Sequence, residues 1–209
     1  MAAGALIGWV GVGIEFVMIL QHHADTSTAE AIVRFFSFFT ILINLLVAMG
    51  FTAPLLAPES NWGSYFQKAS VRGGTAVYIV MVGATYALLL RHLYHPQGLA
   101  KFADVLVHDV APLFYVAYWL LFASKTALRW KDAATWLLFP LAYLVYTLIR
   151  GAFFNWYPYP FVDVNTLGYA RVFINAAVFI VIFLSLGLLI VAIGRWSGKV
   201  ATLSSQPVE

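Results

Sequence analysis

Residues 168–193 read Gly168-Tyr-Ala-Arg-Val-Phe-Ile-Asn-Ala-Ala-Val-Phe-Ile-Val-Ile-Phe-Leu-Ser-Leu-Gly-Leu-Leu-Ile-Val-Ala-Ile193. One charge, Arg171, stands near the start, and no proline interrupts the run. A stretch this long and this apolar exceeds what a half-buried helix in water needs. It fits the ~20 residues that carry a helix across ~30 Å of hydrocarbon. Five similar runs precede it, at about 2–22, 31–56, 71–93, 102–123 and 132–152. Inside lipid each backbone N–H and C=O must bond within its own segment, so the runs read as helices. The expected fold is all-α: six transmembrane helices in one bundle over 1–196, then a polar tail at 197–209 whose composition predicts no packed structure.

Composition supports this. Charged residues are 10% of the chain, against about 25% in a soluble domain, too few to cover a water-facing surface. The basic residues sit singly at the ends of the apolar runs, where they reach headgroups, and form no stripe that would hold nucleic acid. There is no cysteine, which excludes disulfides, thiolate metal sites and a cysteine nucleophile. Met1 to Leu20 has neither a basic start nor a small-residue cleavage site and reads as a retained first span. Seven basic residues (Lys68, Arg72, Lys125, Arg129, Lys131, Arg195, Lys199) flank the membrane face of the termini, and five (Arg34, Arg91, Lys101, Arg150, Arg171) flank the other. That excess, led by the compact loop 125–132, predicts both termini in the cytoplasm.

Consecutive spans run antiparallel, so the end of one and the start of the next share a face. Glu15; Arg34, Ser37, Thr40 and Asn44; Thr85, Tyr86, Arg91 and His92; Asp104, His108 and Asp109; Arg150; and Asp163, Asn165, Arg171 and Asn175 all fall toward the same face. Ionisable groups at membrane depth cost at least about 2.5–3.5 kcal/mol each, so a polar cavity opening to that face is expected. The ordinary alternative, snorkelling to the interface, suits Arg34, Arg91, Lys101 and Arg171 better than it suits the shorter Glu15 and His108. A Glu15–Arg150 pair or shared network would compensate the buried carboxylate.

Arg34, Ser37, Thr40 and Asn44 are spaced three, three and four apart, which at about 100° per residue puts them on one stripe of a single helix, facing protein. A hydroxyl there either bonds back to its own helix or serves a site. Asp104 and His108 stand four apart, so the carboxylate can orient the imidazole and leave its other nitrogen as a base. A purely structural hydrogen-bonding histidine is the competing reading. Pro112, four residues on, deprives the His108 carbonyl of its helical partner and predicts a kink. The pairs His22-His23 and His92/His95 lack metal-ligand spacing, so no metal and no cofactor is expected. Trp156, Tyr159 and Phe161, stiffened by Pro158 and Pro160, read either as a lid or as an interfacial aromatic belt.

The segments Arg34-Phe-Phe-Ser-Phe-Phe-Thr40-Ile-Leu-Ile-Asn44 and Tyr157-Pro-Tyr-Pro-Phe-Val-Asp-Val-Asn165, with His108 on the fourth span, resemble a bacterial six-helix membrane family. That family is related to the eukaryotic androgen-induced-gene proteins, intramembrane threonine hydrolases of fatty acid esters of hydroxy fatty acids. The resemblance implies a bacterial inner-membrane enzyme with Thr40 as nucleophile, His108 as base and a lipid ester as substrate. Ser37, Asn44, Asp104 and Asp109 would support or orient that pair, and Glu15, Arg34, Arg150 and Asn175 would line the polar cavity. A small transporter or lipid- or ion-binding protein using Glu15, His108 and Arg150 is the second expectation, and a structural subunit the third.

Overall fold

The computed structural model describes residues 1–22 and 27–204, without the side chains of His22 and 198–204. Its helices are α1 (Ala2–His22), α2 (Thr28–Phe36), α3 (Phe39–Leu56), α4 (Asn61–Gln67), α5 (Ala69–Thr85), α6 (Gly98–Val105), α7 (Ala111–Phe122), α8 (Trp130–Thr135), α9 (Leu138–Phe154) and α10 (Val164–Ser204). A π-helical turn, Tyr86–Leu90, extends α5, and another, Leu106–Val110, joins α6 to α7. Among the described residues six helices are long and apolar enough to cross a membrane: Ala2–Gln21, Phe39–Leu56, Ala69–Leu93, Gly98–Phe122, Trp130–Phe154 and Val164–Ser197. The protein is an all-α, multi-pass membrane bundle.

α5 is the central helix. Gly73 through Ile79 are all buried, and around them pack Phe51 of α3, Tyr115 and Trp119 of α7, Trp136, and Phe183 and Val191 of α10. Leu113, Leu121, Phe122 and Phe153 lie exposed on the outside, as a lipid-facing surface requires. Polar atoms within the bundle bond between helices: Trp9 Nε1 donates to Thr52 Oγ1 at 2.9 Å, and Tyr78 donates to the Trp136 carbonyl at 2.7 Å. Such bonds help hold helices together where water supplies no hydrophobic drive.

Two boundaries differ from the sequence expectation. The run 31–56 is not one helix. α2 is capped by Ser27, whose hydroxyl accepts the Glu30 N–H at 3.2 Å, and carries a Glu30–Arg34 ion pair at 2.8 Å. The chain then turns extended at Phe38 (φ −83, ψ 123) before α3 begins. The break is held by its own polar groups: Ser37 donates to the Val33 carbonyl at 2.6 Å, and Tyr143 donates to the Ser37 carbonyl at 2.8 Å. At the other end the membrane-spanning stretch stops at Ser197, next to the expected limit of 196, but the helix itself runs on to Ser204, into the stretch expected to be an unstructured tail. The last five residues, and His23 of the His22-His23 pair, lie outside the described residues. Within α10, Gly168 adopts φ 71, a left-handed conformation that glycine takes without steric cost, and the helix bends there.

Candidate active site

The break at Ser37–Phe38 decides the surroundings of Thr40. It places Thr40 in the first turn of α3, where backbone N–H groups lack helical acceptors. The Thr40 N–H donates instead to the Tyr159 hydroxyl at 3.2 Å, and Thr40 Oγ1 lies 3.4 Å from the same oxygen. Ser37, Thr52 and Thr75 each bond back to the carbonyl four residues earlier, at 2.6, 2.7 and 2.9 Å. Thr40 has no carbonyl of its own helix one turn earlier, and Tyr159 is the partner of its hydroxyl.

His108 lies in the π turn Leu106–Val110. Its Nδ1 is 3.0 Å from Asp104 Oδ1 and 3.1 Å from the Asp104 carbonyl oxygen, so a proton belongs on Nδ1, and in the neutral tautomer this arrangement selects the lone pair is on Nε2. Asp104 Oδ2 accepts the Tyr86 hydroxyl at 2.6 Å, and the Tyr86 ring stacks on the imidazole with centroids 3.8 Å apart. The ring is thus held at one edge and over one face.

Asn44 joins the two halves. Fully buried, it donates through Nδ2 to the Thr40 carbonyl at 2.9 Å and to the Val107 carbonyl at 3.1 Å. In a π turn the Val107 carbonyl would bond to the N–H of residue 112, but residue 112 is proline. The Asn44 amide supplies the missing donor, and in doing so ties the turn bearing Thr40 to the turn bearing His108. Gly83 completes the seat: a Cβ there would stand 3.1 Å from the His108 carbonyl oxygen and 3.2 Å from Pro112.

A cavity of about 510 Å³ lies on the polar face. Much of its wall is apolar, from Ile19, Phe35, Phe38, Leu90 and Val107, and what makes it the polar cavity is the group Glu15, Arg34, Thr40, Asp104, His108 and Tyr159 that it also exposes. A second, apolar cavity of about 100 Å³ lies in the cleft between α9 and α10, lined by Leu141, Leu144, Ala176, Phe179 and Phe183 among others. Thr40, Leu90 and Tyr159 border both. Thr40 therefore stands where the two cavities meet.

Several sequence expectations change here. Arg150 is absent from the polar cavity's wall: its guanidinium lies 4.3 Å over the Trp156 ring and donates to the Trp156 carbonyl at 3.4 Å. Among the described residues no ion pair joins it to Glu15. Asn175 borders the apolar cleft and donates to the Phe161 carbonyl at 2.9 Å. Asp109 pairs with Arg91 instead of supporting His108, because its π-turn position carries it away from the cavity. Ser37 serves the helix break and contacts Tyr146 at 3.1 Å. The 156–161 segment forms cavity wall: Tyr159 stacks on Phe161 and packs edge-on to Phe38, which also meets Trp156. Tyr86, placed by the sequence on the polar face but given no role at the site, is the residue that holds both Asp104 and the imidazole. Among the described residues no three His, Asp or Glu side chains group to hold a metal ion. No model of a known protein family matches the chain, and no curated protein or solved structure does.

Proposed function

We propose that the protein is an intramembrane lipid-ester hydrolase in which Thr40 is the nucleophile and His108 its base. The observation that carries the reading is the hydroxyl of Thr40, unengaged by its own helix and set where a polar cavity containing a carboxylate-oriented imidazole adjoins an apolar cleft. Among the described residues no hydrogen bond joins Thr40 to His108, so the substrate-bound state must bring the hydroxyl and Nε2 together directly or through one water. His108 Nε2 takes the threonine proton as Oγ1 bonds to the ester carbonyl carbon. The tetrahedral intermediate then expels the alcohol, which leaves with that proton. Water, activated by the same imidazole, releases the fatty acid from Thr40. The acyl chain lies in the α9–α10 cleft, and water arrives through the polar cavity. A fatty acid ester of a hydroxy fatty acid fits this division, having one aliphatic chain at the carbonyl and a second polar-ended chain as its alcohol.

The test is purified protein assayed against a panel of lipid esters. Thr40→Val keeps the branched shape and removes the hydroxyl. It should abolish hydrolysis and covalent labelling by an alkyl phosphonate, with the melting temperature in detergent preserved. Thr40→Val, His108→Ala and the double variant should share one residual rate, because both groups act in one step. Full hydrolysis by Thr40→Val would discard the reading. The carboxyl of Glu15 in the cavity wall would then favour a transporter or headgroup-binding protein.

A further inference from the structure

We infer that Tyr159 is a catalytic residue of this site: its hydroxyl donates a hydrogen bond to the ester carbonyl oxygen as that oxygen becomes an anion. The inference rests on the hydrolase reading and adds the group that reading lacks, a donor for the developing charge. Tyr159 touches the reacting atom, with its hydroxyl oxygen 3.4 Å from Thr40 Oγ1. Because that oxygen already accepts the Thr40 N–H at 3.2 Å, its own proton is free to point elsewhere. Among the described residues the acceptor within its reach is Thr40 Oγ1, at a length where the bond is weak. A carbonyl oxygen entering beside Thr40 would be the better acceptor. Accepting a backbone N–H also polarises the phenol and makes it a stronger donor.

The ring is rigid, which an oxyanion donor requires. It stacks on Phe161 at 5.2 Å with planes 7° apart and meets Phe38 edge-on at 5.9 Å. Burial pushes the phenol above its ordinary value, against the pull of the Thr40 hydroxyl and the Thr40 and Phe39 backbone bonds, so it stays protonated. In the reaction the Thr40 Oγ1–carbon bond forms, the carbonyl π pair moves onto oxygen, and the threonine proton passes to His108. Tyr159 keeps its proton and shares it with the oxyanion until the carbonyl reforms and the alcohol departs with the proton from His108.

The experiment compares wild type, Tyr159→Phe and Thr40→Val, together with full-length protein carrying fluorinated tyrosines of graded acidity at 159. Tyr159→Phe should lose roughly 10²–10³-fold in kcat with KM little changed, the loss typical of one oxyanion donor. Its affinity for a tetrahedral phosphonate should fall by a similar factor while product affinity holds. Across the fluorotyrosine series, assayed below phenol ionisation, kcat should rise with phenol acidity. A flat series, or an unchanged kcat in Tyr159→Phe while Thr40→Val is inactive, overturns the role of Tyr159 and leaves the hydrolase reading standing. Full activity in Thr40→Val overturns both. Should Tyr159→Phe lower the melting temperature, the fluorotyrosines, which keep the hydroxyl, still decide the matter.

Discussion

A threonine hydroxyl inside a transmembrane helix is ordinarily silent because it donates its hydrogen bond to the carbonyl four residues earlier. Thr52 and Thr75 behave so, and Thr40 escapes because α3 begins one residue before it. The imidazole opposite is equally specified, since Asp104 accepts from His108 on one carboxylate oxygen and from Tyr86 on the other. Asp104 is therefore a positioning residue in the proposed reaction. Asp104→Asn removes the charge that stabilises an imidazolium and permits the wrong tautomer, so kcat should fall roughly 10²-fold or more with KM little altered. Asp104→Glu should recover part of the rate. An unchanged kcat in Asp104→Asn, in protein shown to be folded by its melting curve, would remove Asp104 from the mechanism.

The helices carrying the site are interrupted where they carry it. α5 ends in the π turn that holds Tyr86, α6 passes into the π turn that holds His108, and α3 starts at a break two residues before Thr40. Each interruption frees backbone groups that lipid cannot satisfy, and side chains answer them: Asn44 for the Val107 carbonyl, Tyr159 for the Thr40 N–H, Tyr143 for the Ser37 carbonyl. Close contact between α5 and the second π turn depends on Gly83. A valine there has no room beside the His108 carbonyl and Pro112 ring, so Gly83→Val should destabilise by about 1–3 kcal/mol, read as a lower melting temperature in detergent. Gly13 is the control: nothing lies within 4 Å of its Cβ position, and Gly13→Ala should leave the melting temperature unchanged or slightly higher. Equal effects at both positions would contradict the packing described.

The bundle divides its interior by polarity. The core around α5 is apolar and closed, the polar cavity of about 510 Å³ sits on one membrane face, and the α9–α10 cleft borders both it and the lipid-facing side. Leu141, which lines that cleft, is 37% exposed. In the proposed reaction that exposed wall is where an acyl chain would enter sideways, keeping its far end in the bilayer. Ala176→Trp fills the cleft. It should reduce kcat/KM for long-chain esters strongly while leaving short, water-soluble esters close to wild type. A uniform loss across chain lengths would place the chain elsewhere.

The sequence by itself determines the features that depend on local composition and spacing. Six apolar runs must become helices in lipid, antiparallel order must gather Glu15, Thr40, Asp104 and His108 toward one face, and a carboxylate four residues before an imidazole can reach it. The tertiary structure decided the features that depend on partners distant in sequence. Apolar periodicity reads the Arg34–Asn44 stripe as one helix, because it cannot register a break that Tyr143, over a hundred residues away, stabilises. Arg150 turned to Trp156 and away from Glu15, since a guanidinium in an apolar bundle can be held by an aromatic face as well as by a carboxylate. Pro112 was legible as a disturbance of its helix, but the donor that compensates it, Asn44, comes from another span and could be seen only once the two were packed together.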